Sequence, residues 1–119
     1  MSEFPLTMSF DDVLLVPRRS DITSRREVNL SSSILDRTFT LPVISSPMDT
    51  VTGLDMSISM NNHGGFGIIH RYNSIREQSD IVEMAIKSGA KSIAAAVGVT
   101  ADYESRASAL VAAGAFLLC

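Results

Sequence analysis

Four short apolar runs punctuate the chain: LPVISS (41–46), GFGIIH (65–70), SIAAAV (92–97) and AFLLC (115–119). In each, adjacent as well as alternate positions are apolar, the pattern of strands buried on both faces. Between the runs the rhythm becomes helical. Ser74-Ile75-Arg76-Glu77 reads as a capping box, in which the serine oxygen and the glutamate carboxylate each accept from an orphan backbone N–H. Ile81, Val82, Met84, Ala85 and Ile86 then form an apolar stripe, and Gly89 suits the position just past the helix end. A further helix begins after Thr100, with Asp102 and Glu104 placing negative charge in its first turn. Tyr103, Ala107, Leu110 and Val111 carry its apolar face, and Gly114 ends it.

The segment between the first two runs is less regular. Thr52 and Asp55 have cap spacing, and Asn61-Asn62 before Gly64-Gly65 suit a helix end. Yet MSISM (56–60) alternates as a strand would. Helix is the preferred reading, with strand left open. Residues 1–40 read as a leader: FDDVLLVP is an apolar run closed by Pro17, Ser31 to Ser33 read as loop, and TFTL (38–41) as a short strand. Residues 41–119 then hold strand, helix, strand, helix, strand, helix, strand.

Alternating units of this kind predict an α/β fold with a parallel sheet and right-handed crossovers. An open doubly wound sheet and a (β/α)8 barrel both fit. A barrel takes about 200 to 250 residues, and 119 residues hold roughly its N-terminal half. About four strands cannot close a barrel, so an edge strand and apolar side chains should be exposed. The ending GAFLLC has no polar tail and reads as a strand cut off before its loop.

Composition narrows the partners. The formal net charge is -3, with 45% hydrophobic and 19% charged residues, an ordinary globular balance that disfavours nucleic acid. Arg18, Arg19, Arg25 and Arg26 are interleaved with Asp11, Asp12, Asp21 and Glu27, a solvated face. No apolar run has the roughly 18 residues of a membrane span. Met1 to Met8 carry Glu3 and no basic segment, so no secretory signal is read there. Cys119 is the one cysteine, which excludes an intrachain disulfide and makes a cytoplasmic setting the default.

In either architecture ligands gather at the C-terminal strand ends. That puts Ser45-Ser46-Pro47-Met48-Asp49, His70-Arg71-Tyr72 and Gly98-Val99-Thr100 on one rim. Hydroxyls there can bond a phosphorylated or hydroxylated ligand, and a methionine thioether can lie against a planar base. The alternative is structural: Pro47 shapes a turn, Asp49 caps the helix and Met48 fills core. His70 is equally readable as a ligand contact or as a hydrogen-bonded loop residue, and His63 as an exposed helix end. HGGFG (63–67) precedes its strand and lacks a Lys-Ser/Thr ending, so it is a tight turn and no phosphate loop. No His or Cys cluster has metal spacing, and no Ser–His–acid set stands out.

Taken in order, SFDDVLLVPRRS (9–20), SRREVNLSSS (24–33), LPVISSPMDTVT (41–52), NHGGFGIIHR (62–71), SIREQ (74–78) and AAAVGV (94–99) resemble the N-terminal half of inosine-5′-monophosphate dehydrogenase and its sister, GMP reductase. The resemblance covers nearly the whole chain. It implies a (β/α)8 barrel assembling as a homotetramer, and oxidation of IMP to XMP with NAD through a thioimidate on a catalytic cysteine. It also implies potassium in the complete enzyme, and NADP with GMP for the reductase. Ser46 and Met48 match the family's contacts to the purine nucleotide, the serine near ribose and phosphate and the methionine against the base. Asp49 matches the acid that follows, and Gly98 the glycine ending the third barrel strand.

The chain also departs from the family pattern. The family's cysteine lies in a glycine-rich loop much further along, whereas Cys119 stands where an aliphatic core residue is expected, so no catalytic residue is assigned. The phosphate-binding loops and the water-activating Arg/Thr elements are missing. The CBS pair that often separates the second helix from the third strand is missing too, as in GMP reductases and compact dehydrogenases. SSPMDTVT and GGFGIIHR are closer to the dehydrogenase. The resulting expectation is an incomplete enzyme, inactive alone, needing a complementary C-terminal half from an uncut or split gene or across a splicing junction at Cys119. A non-catalytic half-barrel interaction module is the rival.

Overall fold

The computed structural model describes residues 7–99 and 101–119. Residues 1–6, where the absence of a secretory signal was read, and Thr100, placed on the rim, lie outside them.

The leader carries two single 3-10 turns, Phe10–Asp12 and Arg25–Glu27, followed by a hairpin of β1 (Ser32–Ile34) and β2 (Arg37–Phe39). The serines read as loop are therefore partly strand. Ser32 pairs with Phe39 and Ser33 with Thr38, whose hydroxyls meet at 3.1 Å. The two-residue connection holds Leu35 at φ 55°, an uncommon conformation for a branched side chain.

Then come β3 (Ile44–Ser45), α1 (Leu54–Asn62), β4 (Phe66–Ile69), α2 (Ile75–Lys87), β5 (Ala94–Ala95), α3 (Tyr103–Ala112) and β6 (Leu117–Leu118). All four predicted strands are present, and the ambiguous segment is helix. The ladder runs β3-β4-β5-β6, every pair parallel. This order decides between the two architectures. A doubly wound sheet must reverse its order at a switch point. Here each strand joins the next with no reversal, so right-handed crossovers set every helix on one face. α1 contacts α2 and α2 contacts α3 along that face. The fold is mixed α/β with a parallel four-stranded sheet, consistent with half of a (β/α)8 barrel.

Strand alternation divides the core in two. Ile69, Ile93 and Ala95 face the helices and pack with Val82, Ala85, Ala90 and Leu110. Phe66, Ile68, Ala94 and Ala96 face the opposite side, where Phe39 of the hairpin covers them. Burying a side chain such as Ile69 or Leu110 stabilises the fold by about 1.5–3 kcal/mol.

The helix faces differ in detail from the sequence pattern. On α2 the buried positions are Gln78, Val82 and Ala85, whereas Met84 and Ile86 are exposed. On α3 they are Arg106 and Leu110, whereas Tyr103 and Val111 are exposed. The Ser74–Glu77 capping box is present. Gly64, Gly89 and Gly114, each with positive φ, close the three helices. The N-cap of α1 is Gly53, with no side-chain cap, so the expected capping roles of Thr52 and Asp49 are not realised. His63 is the exposed C-cap. Phe10, Leu14 and Leu15 of the leader are almost fully exposed.

Candidate functional site

Because the strands are parallel, the segments after β3, β4 and β5 share one rim. The first is a compact loop. The carbonyl of Met48 accepts from Val51 N at 3.0 Å and Thr52 N at 2.9 Å, and Met48 N donates to Ser46 O at 2.8 Å. Asp49 Oδ1 accepts from Thr50 N at 2.9 Å, closing a local turn. Folded this way, the loop leaves Ser46, Met48 and Asp49 exposed together, with Met48 at 52%. Met48 therefore does not fill core, contrary to the structural alternative.

The loop is pinned from beneath by Thr52, which is fully buried. Its hydroxyl lies 2.5 Å from Ser46 O and 2.9 Å from Ser45 Oγ. Its carbonyl accepts from His70 N at 3.3 Å, joining the first rim segment to the second. In that second segment His70 Nδ1 accepts from Tyr72 N at 3.2 Å, and the two rings stack with centroids 6.3 Å apart. The Arg71 guanidinium lies 5.8 Å from the Tyr72 ring centroid and against Gly98, where a Cβ would stand 3.0 Å from Nη1. The second and third segments thus touch at Arg71 and Gly98, with Val99 exposed beyond them.

A buried polar cluster supports these segments. Gln78 Nε2 donates to Ala96 O at 2.9 Å and Ile69 O at 3.4 Å. Arg106 donates to Gln78 Oε1 at 2.7 Å, Asn73 O at 3.2 Å and Asp102 Oδ2 at 2.8 Å. The hydrogen bond from Arg106 is the main cause holding the Asp102 carboxyl below its ordinary value.

Sequence reasoning missed Thr52, Gln78 and Arg106 as site-shaping residues. Two of them left a signal. Gln78 is in phase with Val82 and Ala85, and Arg106 with Leu110, so a long polar side chain occupies a core position on each helix.

Cys119 lies one residue past β6, on the ladder through Cys119 N to Ala95 O and Val97 N to Cys119 O. It is exposed. The apolar concavity lined by Ile34, Phe39, Leu41, Ile44 and Phe66 lies at the other end of the sheet, under the hairpin. Among the described residues no helix is long and apolar enough to cross a membrane, and no three His, Cys, Asp or Glu side chains cluster as metal ligands.

The model of the IMP dehydrogenase / GMP reductase domain matches residues 7–119. An inosine-5'-monophosphate dehydrogenase of Nitrosopumilus maritimus (strain SCM1) is 42% identical over 101 residues, covering 84% of this chain and 21% of that protein. Another, of Staphylococcus aureus (strain Mu50 / ATCC 700699), is 43% identical over 83 residues, covering 69% of this chain and 17% of that protein. The chain therefore spans only about a fifth of the length of these curated relatives.

Proposed function

The chain belongs to the IMP dehydrogenase / GMP reductase family, and from that premise we propose that it supplies part of the nucleotide wall of an IMP dehydrogenase-type oxidoreductase, acting on IMP and NAD to give XMP and NADH. The observation that carries this reading is the rim loop after β3, with Ser46 and Met48 both exposed at a strand's C-terminal end. The Ser46 hydroxyl would bond ribose or phosphate. The Met48 thioether would lie against the purine, which its polarizable sulfur suits. Asp49 uses Oδ1 for Thr50 N, which leaves Oδ2 for a ligand hydroxyl.

NAD would supply the hydride acceptor. Among the described rim residues the Arg71 guanidinium lies against Gly98. Neither NAD nor potassium is assigned a ligand set in this chain, and no bond-making step is placed on Cys119. A complementary C-terminal barrel half, a homotetramer and a cytoplasmic setting complete the reading.

Mixing the chain with a complementary barrel half and following NADH formed from IMP tests it. Activity should appear on mixing, and Ser46→Ala or Met48→Ala should weaken IMP binding on the order of tenfold, one lost hydrogen bond or packed group. A monodisperse oligomer of the chain, with no turnover on mixing, would favour the non-catalytic module. The reductase reading draws on the direct path from α2 to β5 through residues 88–93, without an inserted module. NADPH consumption with GMP, in place of NADH formation with IMP, would establish it.

A further inference from the structure

We propose that Thr52 is a positioning residue for the nucleotide loop: its buried hydroxyl holds the turn that presents Ser46 and Met48 on the rim. The proposal rests on the reading of that loop as a nucleotide contact.

Ser46 and Met48 are exposed, so their placement comes from the backbone beneath them. That backbone converges on Thr52. Thr52 N donates to Met48 O at 2.9 Å. Its hydroxyl, with one proton to give, is directed at Ser46 O (2.5 Å) and Ser45 Oγ (2.9 Å). Thr52 O accepts from His70 N. Every polar atom of the residue is engaged, and none of its surface is exposed. The contacts reach the end of β3, two points of the loop and the residue after β4.

Two features indicate that the hydroxyl serves the loop. A threonine just before a helix ordinarily caps it, yet α1 starts from Gly53 with no side-chain cap, and the Thr52 hydroxyl is turned to the loop. The sheet also makes room for the threonine methyl. A Cβ on Gly67 would stand 2.8 Å from Thr52 Cγ2 and 2.6 Å from Ser45 Oγ. The methyl sits in the notch that glycine leaves.

The test separates shape from hydrogen bonding. Thr52→Val keeps the side chain's shape and removes the hydroxyl, and Thr52→Ser does the reverse. In the chain mixed with a complementary barrel half, backbone amide resonances of Ser46 and Met48 and the Met48 methyl resonance report the loop, while thermal melting reports folding. Thr52→Val should fold, displace those resonances and require on the order of tenfold more IMP for the same response, as expected when a part-buried carbonyl loses one of its two donors. Thr52→Ser should match the wild type. A Thr52→Val loop with unchanged resonances and IMP response overturns the proposal, and so does a Thr52→Ser loop displaced as far as that of Thr52→Val. Should Thr52→Val not fold, the Thr52→Ser spectrum decides alone: an undisturbed loop supports the proposal and a displaced one sinks it. If IMP perturbs no wild-type loop resonance, the nucleotide reading fails, while the ligand-free spectra still decide whether Thr52 places the loop.

Discussion

Arg106 of α3 reaches across to Gln78 of α2 and donates to its Oε1 at 2.7 Å, inside a layer where Gln78 has no exposed surface. The same carboxamide donates to the carbonyls of Ile69 and Ala96, at the ends of β4 and β5. One side chain thus links two helices and two strand ends directly beneath the rim.

Replacing Gln78 by Leu should preserve volume and remove this link. Arg106 Nη1 and Ala96 O would each lose a partner within the core. We expect a loss of roughly 2–3 kcal/mol, the scale of a buried hydrogen bond to a charged group. Urea unfolding of the variant and wild type measures it, and a difference within experimental error would remove Gln78 from this role.

The Asp102 carboxyl should titrate below its ordinary value of 3.8. The hydrogen bond from Arg106 is the largest cause; burial opposes it, and the charges of Arg106 and Arg71 add to the lowering. A carboxylate depressed in the fold stabilises it above the unfolded value, and that contribution is lost as pH falls through the folded value. Stability should therefore drop in the acid range below 3.8. Carboxyl NMR titration should show Asp102 returning toward its ordinary value in Arg106→Leu.

Ser74 and Glu77 cap α2 reciprocally, with Ser74 N and Oγ donating to Glu77 Oε2 at 2.8 and 2.7 Å. The side-chain bond is the larger cause lowering the Glu77 pKa, followed by the backbone bond. Ser74→Ala should cost about 1 kcal/mol. It should also bring Glu77 back toward 4.5 in the same NMR titration.

Gly67→Ala should be poorly tolerated although Gly67 is a strand residue. Its Cβ would enter the space held by Ser45 Oγ and Thr52 Cγ2. Overpacking of this kind costs about 1–3 kcal/mol. Thermal melting checks the stability, and a shifted Ser46 amide resonance would show the strain passing into the rim loop.

Phe39 closes the inner face of the sheet, its ring centroid 4.7 Å from that of Phe66 and 6.0 Å from that of Phe116. Phe39→Ala should cost roughly 3 kcal/mol through lost burial and a residual cavity. Phe39→Leu should recover most of that in the same denaturation experiment.

Much of this fold was legible in residue order. GFGIIH is apolar at every face-determining position, and β4 is buried at all four residues. Ser74-Ile75-Arg76-Glu77 announced both the start of α2 and its cap. The rim position of Ser46, Met48 and Asp49 followed from strand ends alone. The helix faces were less legible. Met84, Ile86 and Val111 are apolar yet exposed, because a sheet of four strands offers each helix only a narrow stripe to bury. Ser32 and Ser33 read as loop because their pairing depends on Thr38 and Phe39, which local propensity does not contain.

The sequence by itself determined the alternation of strand and helix, three helix ends marked by glycine, and membership of the family, since each follows from local pattern or motif order. Only the tertiary structure decided that the sheet is wound in one direction, that the Thr52 hydroxyl turns to the loop while α1 starts at Gly53 without a side-chain cap, and that Gln78 meets Arg106. Periodicity shows that a residue turns inward. It does not show which distant group it meets there, and a buried polar side chain takes its role from that partner.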